Sequence, residues 1–308
     1  MHRFGCRYAF AEMVDAAALV HGRKTRRFLD RSDLDEWLGV QFVGSDVSTL
    51  IEATKIVNDV ALDVIDFNLG CPAAKVAKKC GGAELCGRSD EAIRSFEAIV
   101  THSRFPVSAK MRILNDSDVQ PTIDFCQQLV NAGAQTITIH GRIKEKVYSG
   151  PVFFDILSAV REAVDIPIVA NGGISDFATY NEMRSKTGCD SVMVARGAMG
   201  NPWLFKAIHE QKKYIPPTPV EVAEELERHL FEMIDYYGET LALKIGRKVI
   251  LDYLRGRGYG GAMKARVSNL CTSNDLVYFV DDLKKGPASS YWTWLEKNPQ
   301  DARRMLNI

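Results

Sequence analysis

Short apolar, β-branched runs alternate along this chain with stretches whose apolar residues recur every three or four positions. The runs predict strands at 8–14, 39–43, 64–68, 107–111, 136–140, 167–170 and 191–195. The helical period predicts helices at 47–58, 90–101, 120–132, 153–163 and 176–186. Strand, helix and strand in regular succession predict a parallel sheet. Most of these strands end in polar residues or glycine: Gln41, Asn68, Lys110, His140, Asn171 and Arg196. In a (β/α)8 TIM barrel such ends build the active-site face. An open doubly wound sheet would instead carry GxGxxG at its first βα turn, and that motif is absent there.

Seven strands are predicted where a barrel needs eight. The opening "MHRFGCR" reads as the tail of a helix, and the last two strands carry the phosphate-type turns expected after strands seven and eight. The first strand is therefore expected to be the missing one, from a late start or a truncation. After Trp203 the pattern changes. "PPTP" at 216–219 punctuates the chain like a linker, and helices are predicted at 220–237, 241–255 and 273–283. A barrel domain over 1–215 and a small helical domain with a tail over 216–308 are expected, the tail from Lys284 being irregular or a terminal helix. The helical part is rich in basic residues: Lys244, Arg247, Lys248, Arg255, Arg257, Lys264 and Arg266.

Composition narrows the class. With 308 residues, 46% hydrophobic and 25% charged, the chain reads as a soluble globular protein. Its 39 basic and 39 acidic residues cancel, so nucleic-acid binding would need a local patch rather than global charge. No apolar run is long enough to span a membrane, and the first residues carry no signal-peptide pattern. The seven cysteines are irregularly spaced, and Cys71, Cys80 and Cys86 form no CxxC pair. That argues against zinc or a disulfide framework and for a reducing cytoplasm.

The chemistry gathers at the strand ends. "VIDFNLGCP" places Cys71 after glycine and before proline, just past an apolar strand. This suits a reactive thiol; the alternative is a buried inert cysteine. "VANGGI" at 169–174 and "VARGAMG" at 194–200 each offer glycines and backbone N–H groups to an anion, with Arg196 beside the second. Alone, each turn is simply where glycine belongs; two in consecutive units favour a phosphate site. Lys110 is costly in a strand unless partnered or working, and could stabilise negative charge at the pyrimidine end of a reduced flavin. Arg112 shares its face and could meet substrate. His140 precedes Gly141-Arg142 at a strand end, and Gln41 and Asn68 could read the edge of a flavin or pyrimidine. Snorkelling, a structural imidazole and loop capping are the plain alternatives. If a flavin lies on the barrel mouth, Cys71 could donate a proton to a ring bound over it.

Together these motifs resemble the tRNA-dihydrouridine synthase family. The match runs through "EMVDA" (12–16), "VQFVGSD" (40–46), "DFNLGCP" (66–72), "KKCGGAEL" (78–85), "SAKMR" (108–112), "IHGR" (139–142) with "YSG" (148–150), "VANGGI" and "ARGAMGNPW". The resemblance implies an FMN-binding barrel followed by a helical tRNA-binding domain. It implies FMN contacts from Gln41, Asn68, Lys110, His140, Asn171, Gly172, Gly173, Ala195 and Arg196, and substrate contacts from Asn68, Arg112 and Arg142. It further implies that NADPH (or NADH) reduces FMN, that N5 passes hydride to uridine C6, and that Cys71 protonates C5. The uridine must leave its stack to reach the flavin. A monomer without metal or membrane partner is expected. Two departures stand out: nothing matches the family's opening "APM"-type strand, and Cys80 occupies a position usually small or glycine. Rival readings are a flavin barrel dehydrogenase of free pyrimidines, which leaves the basic helical part unexplained, and a tRNA-binding protein without catalysis.

Overall fold

The computed structural model describes residues 1–297. Eight parallel strand segments form one sheet: β1 (Tyr8–Phe10), β2 (Val14–Asp15), β3 (Trp37–Val43), β4 (Val64–Leu69), β5 (Val107–Arg112), β6 (Thr136–His140), β7 (Ile168–Asn171) and β8 (Ser191–Met193). The order is β1-β3-β4-β5-β6-β7-β8, with β2 also on β3. From β3 onward each strand is followed by helix, as the sequence predicts: Val47–Val57, Ser89–His102, Gln120–Asn131, Phe154–Ala163 and Phe177–Thr187. The architecture is α/β and TIM-barrel-like, its described strands forming an open path with β1 and β8 at the edges.

The expected continuous strand at 8–14 is interrupted. Phe10 pairs with Gly39 and Val14 with Phe42, so four steps on the edge strand face three on β3. That one-residue excess is a bulge. Phe10 fixes its start: its ring lies on Gly39, where a Cβ would stand 2.4 Å from Cε1. Trp37 meets both Tyr8 and Phe10 edge to face at centroid distances of 5.7 and 5.3 Å.

Alternation along β4–β7 separates two faces. Ile65, Phe67, Leu69, Ala109, Met111, Ile137, Ile139 and Ala170 are buried and apolar. The alternate positions carry Asp66, Asn68, Ser108, Lys110, Arg112, Thr138, His140 and Asn171. Asp46 starts the helix after β3 by accepting from Thr49 N at 2.8 Å.

The chain divides into two compact units, one comprising His2–Gly172 and Tyr180–Met193, the other Gly173–Thr179 and the chain from Val194, with Met1. The second is helical, with Trp203–His209, Pro219–Tyr237, Glu239–Leu254, Gly261–Arg266, Ser273–Lys284 and Ser289–Lys297. Its core joins Leu226, Leu230, Ile250, Leu276, Phe279 and Val280. The proline-rich stretch at 216–219 is part helix start: Thr218 and Glu221 form a reciprocal capping box ahead of Pro219. The stretch after Lys284 is helical from Ser289 to Lys297; the tail from 298 lies outside the described residues. Among the described residues no helix is long and apolar enough to cross a membrane.

Candidate active site

Parallel registry lines the polar positions up in rows. Gln41, Asp66 and Ser108 are successive partners across β3, β4 and β5. Asn68, Lys110 and Thr138 form the next row. Arg112, His140 and Asn171 form a third, nearest the strands' carboxyl ends. Every strand-borne residue that the sequence singled out between Gln41 and Asn171 falls in these rows.

The first row is hydrogen-bonded throughout. Asp66, 1% exposed, accepts from Ser108 Oγ and from Gln41 Nε2, both at 2.6 Å. Asn68 Nδ2 donates to Gln41 Oε1 at 2.7 Å. The Asn68 carboxamide oxygen then accepts from Gly70 N at 3.1 Å and Cys71 N at 2.9 Å, an Asx turn that ends β4. Burial pushes the Asp66 carboxyl above the usual range, while Ser108, Gln41 and Lys110 pull it back. Burial pushes Lys110 below the usual lysine range, and Asp66 partly restores it. The Lys110 side chain has no hydrogen-bond partner among the described residues, and Asp66 is the opposite charge that favours its ammonium form.

Cys71 is a half-buried free thiol fixed on both sides of its backbone. Its N–H is in the Asx turn, and its carbonyl accepts from Ala83 N at 3.1 Å. Gly82, at φ +61°, closes this loop against it: a Cβ there would stand 2.6 Å from the Cys71 oxygen. Arg112 braces the same turn, Nε donating to Gly70 O and Nη1 to Val147 O, each at 2.8 Å, with its guanidinium 5.7 Å from the Tyr148 ring centroid. Arg112 is thus engaged with backbone, where the sequence expected a contact to substrate. Cys80, at φ +56°, occupies the left-handed region that a glycine would adopt freely, so the backbone favours the glycine expected there and nothing in the structure explains the cysteine. Cys86 is buried in a short helix, its thiol pushed up to about 12.

His140 Nε2 lies 3.3 Å from Arg142 Nη1, and Arg142 Nε donates to Gly150 O at 3.0 Å. Asn171 Nδ2 donates to Met193 O at 2.8 Å, tying β7 to β8. Gly172 lies directly against His140. In the helical unit, Gly173 has φ +68°, and Ala195 precedes the short turn Arg196–Ala198. Gly197 packs on the backbone after Gly173, where a Cβ would stand 2.1 Å from Ile174 O.

The residues that sequence reasoning passed over are Asp66 and Ser108. Both sit inside apolar-looking runs, and the signal was their phase: each occupies the alternate position that also holds Asn68 or Lys110. Of the seven basic residues singled out above in the helical part, Arg255 pairs with Asp252 and Arg266 with Asp282. Arg257 turns onto Tyr253 O at 2.8 Å and onto the Trp203 ring. Lys244, Arg247, Lys248 and Lys264 take no ion pair among the described residues, and the first three share a face of Glu239–Leu254. Among the described residues no group of His, Cys, Asp or Glu could hold a metal ion.

The family model for dihydrouridine synthase (Dus) matches residues 1–281. A probable tRNA-dihydrouridine synthase of Rickettsia prowazekii (strain Madrid E) is 35% identical over 262 residues, 82% of this chain and 80% of that protein. tRNA-dihydrouridine synthase B of Proteus vulgaris is 34% identical over 236 residues, 75% of this chain and 73% of that protein. Among solved structures, histamine dehydrogenase from Rhizobium sp. 4-9 superposes with a TM-score of 0.52 at 13% identity, covering 68% of this chain and 42% of that one. This last likeness concerns the fold.

Proposed function

From the premise that this chain belongs to the dihydrouridine synthase family and is an oxidoreductase, we propose that it reduces the C5=C6 bond of a uridine in tRNA, using FMN and NADPH. The residues present fit a flavin. Lys110 is a cation without a hydrogen-bond partner among the described residues, set beside a row of amides and hydroxyls. Gly172 lets the backbone at the end of β7 lie against the His140 ring, closer than any side chain there would allow. Gln41, Asn68, Lys110, His140, Asn171 and Gly172 would hold the cofactor from one unit. Gly173, Ala195 and Arg196 of the other unit enter the proposal through the family resemblance.

FMN held there would supply hydride chemistry at C6 of the base, with NADPH as the source of electrons. Lys110 would stabilise negative charge on the reduced flavin. Cys71 delivers the matching proton to C5, so one hydride and one proton saturate the bond and solvent reprotonates the thiolate. Asn68 and Arg142 orient the pyrimidine, and Arg112 holds the Cys71 turn while facing the same row. The exposed face bearing Lys244 and Lys248 receives the tRNA backbone, the helical part from 216 being the proposed tRNA-binding region. The protein works as a cytoplasmic monomer in this reading.

The observation that carries the proposal is the Cys71 turn: a free thiol, its peptide fixed on both sides, ends the strand whose neighbour bears Lys110. The test is a visible spectrum of the purified protein with FMN. Flavin absorbance that bleaches with NADPH and returns on adding unmodified tRNA is expected. A protein that takes up no flavin refutes the proposal.

A further inference from the structure

The hydrogen-bonded row running from Ser108 to Cys71 has a direction. An ionised carboxylate only accepts and a peptide N–H only donates. Asp66 therefore faces the Gln41 amide nitrogen, which turns Oε1 toward Asn68. Asn68 answers with Nδ2, leaving its oxygen for the Gly70 and Cys71 peptides. From the other end, the two peptide N–H groups demand the same orientation at each step. Both fixed ends agree, so no amide in the row can invert alone.

We propose that Asp66 is a positioning residue for the Cys71 turn, acting through the polarity of this relay rather than through its charge. The inference rests on the assignment of Cys71 as proton donor for its role in catalysis, but not for its geometry. Protonating Asp66 leaves the relay intact: the proton goes to Oδ1, the Ser108 hydroxyl accepts instead of donating, and Oδ2 still accepts from Gln41. Asp66→Asn is tolerated for the same reason, with Nδ2 toward Ser108 and Oδ1 toward Gln41.

The ionised side chain of Asn68→Asp is not accommodated in the same way. It keeps an oxygen on the Cys71 turn but presents a second oxygen to Gln41, and the Gln41 amide then has an acceptor on each side and one nitrogen. Adding Asp66→Asn cures this by reversing the row. Gln41 then donates to the new carboxylate and accepts from the new amide nitrogen, while the new amide oxygen accepts from Ser108. Adding Asp66→Leu instead also removes the second carboxylate, but supplies no donor.

The experiment compares these two double variants without flavin or tRNA, reading thermal midpoint and iodoacetamide alkylation of Cys71 by peptide mass spectrometry. Asn68→Asp should lower the midpoint. Asp66→Asn/Asn68→Asp should recover at least half of that loss, with Cys71 alkylated about tenfold more slowly than in Asp66→Leu/Asn68→Asp. Both carry the same carboxylate in place of Asn68 and a neutral side chain in place of Asp66, so charge repulsion predicts equal behaviour. Equal midpoints and equal alkylation would overturn the relay. Because neither readout uses the reaction, the relay can fail while the wild type still reduces uridine, and can hold while it does not.

Discussion

Gly172 sits so close to His140 that a Cβ on the glycine would stand 2.9 Å from the ring Cδ2 and 3.2 Å from Nε2. Its φ of +131° is one that side chains rarely adopt. Backbone and packing thus demand glycine for separate reasons. Gly172→Ala should cost about 2 kcal/mol, read from urea denaturation, and weaken flavin uptake by displacing the imidazole. An alanine variant as stable as wild type would show that the turn relaxes freely.

Removing the thiol should split the reaction in two. In Cys71→Ala, NADPH should bleach the flavin at the wild-type rate. Reoxidation by tRNA should slow at least about a hundredfold, the loss expected when a positioned proton donor is deleted. Stopped-flow spectra of the two halves check this; equal slowing of both would place Cys71 in flavin binding instead.

Asp66 gives the folded protein a pH signature. Its folded carboxyl sits above the ordinary range because it is buried, so it keeps its proton to higher pH than in the unfolded chain. The stability this contributes is fully present below the ordinary carboxylate range and is lost as pH rises through the folded value. Wild type relative to Asp66→Asn should therefore be most stable in acid and lose ground toward neutral pH. Paired urea midpoints between pH 4 and 8, where native structure persists, measure the difference, and a rise with pH would contradict the assignment.

Lys244 and Lys248, exposed one turn apart, are free to meet phosphate. Lys244→Glu/Lys248→Glu should raise the KM for tRNA at least about tenfold and flatten its salt dependence, with NADPH bleaching of the flavin unchanged. An unchanged KM would move the tRNA contact elsewhere.

Much of this geometry follows from sequence alone because polar residues stand out in strands that are otherwise apolar. His140 and Asn171 are the last residues of their strands, whereas Gln41, Asn68 and Lys110, expected at strand ends, are followed by one or two further strand residues; all five fall in the polar rows. Asp66 escaped notice because its neighbours Ile65 and Phe67 are apolar. Its meaning depends on Gln41 and Ser108, 25 and 42 residues away and joined to it only by strand pairing. The bulge after Phe10 was hidden likewise, being a mismatch between two strands rather than a property of either. The basic helices read as a seven-residue patch because composition does not record that Asp252 and Asp282 engage two of them.

The order of the sheet bears on how the chain comes to be folded. From β3 to β8 spatial order equals chain order, and each strand pairs with the one made just before it. Such a sheet can lengthen during synthesis by adding each finished strand to a waiting edge, with no earlier segment held open for a later partner. The Gln41–Asp66–Ser108 row is complete once β5 has docked, long before the helical unit leaves the ribosome. The hydrogen bonds that fix the peptide of the thiol turn come from Asn68 and Ala83, so they need no part of the helical unit.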